Sequence, residues 1–171
     1  RQHGVLLAGT AAAIGAWHAA AGHVAPWPFP ATSVLVVCGS LAAAAREQLE
    51  VLGRGGVPVV GVVASPDDPA GPVDAAAAEA MAARLAAETA AMIRARDPGV
   101  VVVLGGDTTA AVLGPMPLRV VGRATPGTAV GRCVDGSGPW FVTRSGSFGA
   151  PTELRDLVAA LVAGSPPRAA G

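Results

Sequence analysis

Three short apolar runs constrain this chain more than any other feature: SVLVVC at 33–38, VPVVGVV at 57–63 and GVVVVLG at 99–105. Each is rich in β-branched residues and lacks apolar–polar alternation. Such runs suit strands buried on both faces, as in a parallel sheet covered by helices. Helical segments separate them. LAAAAREQLEVLG (41–53) has a helical period and a C-terminal cap signal at Gly53. VDAAAAEAMAARLAAETAAMIRARD (73–97) predicts a long helix with Ala, Met and Leu inward. Its charges Glu79, Arg84, Glu88, Arg94 and Arg96 fall on the wetter side. Pro98 ends it, and Gly99 turns the chain into the next strand. SPDDPAGP (65–72) is a loop by composition.

After Gly105 the pattern predicts a short helix near 107–113, then a strand in PLRVVG. PGTAVGRCV and GPWFVTR read as two further strands, paired as a hairpin around DGSG (135–138). PTELRDLVAALVAG closes the pattern as an amphipathic helix with Thr152 at the N-cap and Glu153 in its first turn. The expected fold class is α/β: a doubly wound, mostly parallel sheet with helices on both faces and a C-terminal β-hairpin. At 171 residues, one domain with a real core is expected.

Composition narrows the chemistry. All 12 Lys+Arg residues are arginines, and lysine, tyrosine and asparagine are absent. A P-loop lysine, a Schiff-base amine and a tyrosine–lysine dehydrogenase pair cannot come from this chain. Twelve acids balance the arginines. With no basic run and no interleaved aromatics, neither a nucleic-acid nor a membrane partner is expected. Cys38 and Cys133 read as reduced, small core residues. Residues 4–22 look superficially like a signal peptide, but the stretch is alanine-driven and carries His18. It reads better as strand, turn and helix continuing from an upstream part of the protein. AGTAAAIG (8–15) resembles a dehydrogenase turn but has Ala13 where the central glycine belongs. His18 and His23 are five apart and have no metal-ligand spacing. SPPRAAG reads as a frayed tail.

Small, polar, glycine-rich turns follow three predicted strands: CGS (38–40), GGDTT (105–109) and TRSGSFGAP (143–151). Ligands bind at the carboxyl ends of strands in open α/β sheets. Glycines allow close backbone approach, and the following helix N-termini present free N–H groups. Together these favour phosphate. Arg144, between an apolar strand and a glycine loop, reads as a phosphate partner. The plainer readings are an N-cap for Ser40, an N-cap for Asp107 and a surface charge for Arg144.

Read in order, CGSLAAAAREQ, VVVLGGDTTAAVL, PGTAVGR and FVTRSGSFGAPTEL resemble the C-terminal nucleotide-binding domain of the four-carbon acid sugar kinases. These act on threonate, erythronate or 3-oxo-tetronate. The resemblance covers about 32–163. Residues 1–31, with GTAA at Gly9 to Ala12, are similar to the segment connecting an N-terminal sugar-acid-binding domain, and 164–171 would be a tail. The resemblance implies that Ser40 contacts ATP. It further implies that Gly105, Gly106, Asp107 and Thr108 hold the phosphates or their Mg²⁺, with Asp107 the candidate ligand. Arg144, Gly146 and Gly149 would line the same site. No catalytic residue is assigned, because the base and most sugar-acid contacts would lie on the N-terminal half. The whole protein would be a cytoplasmic, ATP-dependent phosphotransferase with an alcohol acceptor. This chain alone would bind nucleotide weakly and not turn over.

The sequence departs from the family at Ala42 and Ala45, where the family carries serine and threonine. Arg144 stands for a lysine, and Ser147 occupies a position that is often small or an amide. The alternatives are a non-catalytic nucleotide-binding or scaffold module of the same fold, and a flavodoxin-like protein binding another phosphorylated ligand.

Overall fold

In the computed structural model, residues 31–65 and 74–164 are described, apart from Pro115 and Pro126. The expectations for 1–30, for most of the 65–72 loop and for the 165–171 tail lie outside the described residues. Among the described residues, six strands and four helices follow one another as β1 (Val34–Cys38), α1 (Ala43–Arg54), β2 (Gly61–Ala64), α2 (Ala75–Arg96), β3 (Val100–Leu104), α3 (Gly106–Leu113), β4 (Leu118–Gly122), β5 (Thr128–Cys133), β6 (Trp140–Arg144) and α4 (Glu153–Ala163).

The strands form one sheet in the order β2-β1-β3-β6-β5-β4. β1 runs parallel to β2 and β3, and β3 runs parallel to β6. β5 is antiparallel to both β6 and β4. The fold is therefore the expected α/β sheet, mostly parallel and closed by a C-terminal hairpin.

Side chains alternate between the two faces of each strand. On one face, Val34, Val36, Val100, Val102, Leu104 and Val142 pack against Ala45 and Leu52 of α1 and Leu154, Leu157, Val158 and Leu161 of α4. On the other, Leu35, Val37, Val101, Val103 and Phe141 meet Leu85 of α2, with Met81, Met92 and Ile93 beside it and Val112 and Leu113 of α3. Helices cover both faces, so β1 and β3 need apolar residues at every position, and all five residues of each are buried. Each such side chain contributes about 1.5–3 kcal/mol of burial.

Several local expectations change. The run at 57–63 yields a strand only from Gly61, and of its residues only Val63 is buried. Among the described residues β2 is the outermost strand of the sheet, and Val62 is 47% exposed, while Val57 and Val59 pack on the core without joining the strand. Gly53 does not end its helix: α1 runs to Arg54, and Gly55 is the C-cap. Asp74 caps α2 by accepting from the Ala77 N–H at 2.7 Å, and Asp97 ends it in the left-handed region, at φ 44°. Thr152 occupies the N-cap of α4 but makes no side-chain cap bond. Glu153 accepts from the Ala150 N–H instead. Both cysteines are free, with Cys38 buried. Among the described residues no helix is long and apolar enough to cross a membrane.

Candidate functional site

The winding of the chain creates one place where connections diverge. β1 leads into α1 on one face of the sheet, and β3 leads into α3 on the other. Between the carboxyl ends of these neighbouring strands a crevice must open, the position where open α/β sheets bind ligands. The CGS and GGDTT turns meet there.

Backbone hydrogen bonds tie the strand ends into one row. The Ser65 N–H donates to the Cys38 carbonyl (2.9 Å), Gly39 N–H to Leu104 (3.2 Å) and Gly105 N–H to Arg144 (3.0 Å). Turns from four distant parts of the sequence are thereby aligned. The glycines permit a closeness that no side chain would. A Cβ on Gly39 would overlap the Thr108 hydroxyl, and one on Gly146 would overlap the Ser40 side chain.

Neither plain capping reading of the turns holds. The N-cap of α1 is Ala42, without a side-chain cap. Ser40 lies earlier, and its Oγ accepts from the Ala42 N–H at 3.3 Å. The N-cap of α3 is Gly105, at φ 110°, and the helix begins at Gly106 rather than 107. Asp107 is therefore inside the first turn, exposed and uninvolved in capping. Thr109 back-bonds to the Gly105 carbonyl at 2.7 Å. No side chain caps α3, so its first-turn N–H groups remain available to an anion.

A cavity of about 360 Å³ opens on this row, within the size range of small-molecule sites. Gly39, Ser40, Ser65, Asp107 and Thr108 supply its polar side. Ala78, Met81, Ala82 and Leu85 of α2 supply an apolar wall. Of the residues expected from sequence, Ser40, Asp107 and Thr108 share this cavity. Gly105 and Gly106 carry the turn beside it, and Gly146 abuts Ser40 from the last loop.

Arg144 and Gly149 do not line the cavity. The Arg144 side chain is buried, and its Nη2 donates to the Phe148 carbonyl at 3.0 Å. The same nitrogen lies 3.4 Å from Glu153 Oε1. Arg144 is thus not the surface charge of the plain reading. Gly149, at φ 112°, is packed so tightly that a Cβ would overlap the Glu153 carboxylate.

Sequence reasoning missed three contributors. Ser65, taken as loop, is buried at the end of β2 with its hydroxyl unpartnered among the described residues. Its carbonyl accepts from Arg46 at 3.3 Å. Gln48 of α1 is buried and reaches the Phe148 carbonyl at 3.2 Å. Met81 belongs to the cavity wall. Only Ser65 had a sequence signal, as the first polar residue after an apolar run. Burial pushes the Cys38 thiol up, against a smaller opposing effect of the Ser40 backbone and Arg46. Among the described residues no three His, Cys, Asp or Glu side chains gather as a metal cluster.

No family model and no curated protein matches the chain. Solved structures do. A Bordetella bronchiseptica protein, described as a domain of unknown function (DUF1537) with bound citrate and as a domain-swapped dimer, matches in two crystal forms. One is 24% identical with a TM-score of 0.64 and covers 82% of this chain and 43% of that one. The other is 25% identical with a TM-score of 0.64, covering 81% and 41%. A Haemophilus influenzae protein of the DUF1537 type is 15% identical, with a TM-score of 0.52 over 75% of this chain and 40% of that one. The chain spans about two fifths of the length of these structures.

Proposed function

We propose that this domain binds the phosphates of ATP at the β1–β3 switch point, as the nucleotide-binding part of a kinase for a four-carbon acid sugar. One observation carries the reading: glycine turns distant in sequence converge on an uncapped helix N-terminus beside a cavity of small-molecule size. The structural neighbours support it, because DUF1537 is the designation of the four-carbon acid sugar kinase family that the sequence resembles.

In this reading the N–H groups of Gly106, Asp107 and Thr108 hold phosphate oxygens, and the Ser40 hydroxyl faces them across the crevice. The apolar wall of α2 accommodates the less polar part of the nucleotide. Gly146 backs Ser40 from the last loop. Asp107 is exposed beside the phosphate position and suits Mg²⁺, which usually takes one or two carboxylates together with substrate phosphates. The cation supplies charge neutralisation on the transferring group. The residues of this chain bind, orient and neutralise, which is most of what phosphoryl transfer asks of a protein. In this reading the sugar acid and the proton acceptor belong to another part of a cytoplasmic protein.

A second reading, a non-catalytic nucleotide-binding module, is favoured by Ala42 and Ala45. Ala42 is an N-cap without a capping side chain, and Ala45 is buried under Gly146. Neither offers a hydroxyl to a ligand.

Thermal-shift titration with MgATP, ADP, flavin mononucleotide and NAD tests the site. Adenine nucleotides are expected to raise Tm, and Asp107→Ala to remove the Mg²⁺-dependent part of the shift. A shift with flavin alone would overturn the proposal. Turnover of a four-carbon sugar acid by the whole protein separates the kinase from the non-catalytic module.

A further inference from the structure

The last glycine loop is fastened more heavily than a connection requires. Residues 145–149 contain two glycines and should be mobile by composition. Yet the Phe148 carbonyl accepts two hydrogen bonds, from Gln48 Nε2 at 3.2 Å and from Arg144 Nη2 at 3.0 Å. A carbonyl has two lone pairs, and here both are used. Glu153 completes the arrangement: Oε1 pairs with Arg144 at 3.4 Å, and Oε2 accepts from the Ala150 N–H at 3.2 Å. Three elements, α1, β6 and α4, thus grip one loop.

The grip is expensive. Gln48 is 1% exposed and Arg144 8%. Gln48 Oε1 and Arg144 Nη1 are buried without hydrogen-bond partners among the described residues. An unsatisfied buried polar atom costs about 1–3 kcal/mol. A leucine at 48 would fill the same space without that cost. What the polar pair adds is a defined position for Phe148, and through it for Gly146, which packs on the Ser40 side chain at the cavity.

We infer that Gln48 and Arg144 are positioning residues, which clamp the Phe148 carbonyl to hold the 145–149 loop against Ser40 in the nucleotide site. The inference rests on the nucleotide reading above. It moves Arg144 from direct phosphate contact to action through the loop. It also brings in Gln48, which lies 100 residues from its partner. The cation at 144 answers Glu153 and the Phe148 carbonyl, so the requirement there is for a charged donor of sufficient reach.

The test uses Gln48→Leu, Arg144→Met and Arg144→Lys in this chain. MgATP affinity is measured by calorimetry, Tm by thermal unfolding, and amide exchange of 145–150 in the ligand-free state. Gln48→Leu is expected to keep or raise Tm while weakening MgATP about tenfold and speeding loop exchange. Arg144→Met should weaken binding at least as much, and Arg144→Lys should restore most of it. A purely structural role would lower affinity only in step with Tm and would show no such split. Unchanged loop exchange in both Gln48→Leu and Arg144→Met overturns the clamp, whether or not nucleotide binds. Faster loop exchange with wild-type MgATP affinity overturns its link to the site. If the wild-type chain ignores MgATP while the variants loosen the loop, the nucleotide reading fails and the clamp stands.

Discussion

The sheet has two halves built on different terms. In the parallel half, β1 and β3 are buried throughout and their loops carry the cavity. In the antiparallel half, Arg119 and Val120 of β4 are exposed, Val120 at 58%, and the turns close on themselves. The Thr128 hydroxyl accepts from the Ala124 and Thr125 N–H groups (2.9 and 2.8 Å) and donates to the Thr125 carbonyl. Asp135 accepts from the Ser137 N–H and hydroxyl at 2.9 and 2.7 Å. These turn groups of the antiparallel half are satisfied within a few residues, although Thr125 Oγ1 and Arg132 Nε are buried without partners among the described residues. In the parallel half, Gln48 reaches across the fold to the Phe148 carbonyl, and the Ser65 hydroxyl at the cavity remains open among the described residues.

The sharpest way to break the comparison is by truncation. Leu35→Ala in β1 should cost about 2–5 kcal/mol, and Val120→Ala in β4 within about 0.5 kcal/mol, read from urea unfolding at equal m-values. Comparable losses would mean that the halves are not differently packed.

Next comes glycine replacement. Gly39→Ala drives a methyl into Thr108, for an expected loss of about 1–3 kcal/mol, partly recovered in the double variant Gly39→Ala/Thr108→Ala. Gly136→Ala meets open space and suffers only its positive φ of 76°, about 1–2 kcal/mol. No second substitution should relieve it. A double-mutant cycle on each distinguishes collision from backbone strain.

Titration separates the halves by sign. Cys38 has a raised pKa from burial, so its contribution is fully present below the ordinary thiol value of 9.0 and is lost as pH rises through the folded value. With no lysine or tyrosine, few other groups titrate there. Unfolding curves should therefore show an alkaline decline that Cys38→Ala flattens. Asp135 behaves oppositely: the Ser137 N–H, then its hydroxyl, hold the carboxyl below the usual range. Its contribution is present above the unfolded carboxylate value and is lost as pH falls through the folded one. A carboxyl titration by NMR should give a depressed midpoint that Ser137→Ala raises.

The smallest effect is expected at the exposed Arg54–Glu50 pair, 3.0 Å apart on α1. Arg54→Ala should change stability by no more than about 0.5 kcal/mol, and less in high salt.

Legibility followed the same division. β1 and β3 were readable because covering a strand on both faces removes every polar position, leaving a mark in the sequence itself. The 57–63 run bore the same mark but forms a strand of four residues with one neighbour among the described strands, since an apolar run does not say whether a neighbour will lie on each side. Gly53 reads as a stop but lies inside the helix, because a glycine looks alike inside a helix and after it. Gly55, packed against Arg155, ends the helix instead. In the site, the glycine turns and Ser40, Asp107 and Thr108 stood out as small polar residues after apolar runs. Gln48 did not, because a glutamine in a helical pattern is unremarkable until its partner is known.

The sequence by itself determined the alternation of strand and helix, the positions of the glycine turns and the chemistry excluded by the missing lysines and tyrosines. These follow from local steric and hydrophobic periodicity, which each segment carries alone. Only the tertiary structure decided that β2 pairs with β1 alone among the described strands and that the turns after β1 and β3 face one crevice. It also decided that Arg144 and Gln48 meet at a single carbonyl. Those outcomes depend on which distant segments become neighbours, and strand order is settled by how the whole sheet buries its two faces.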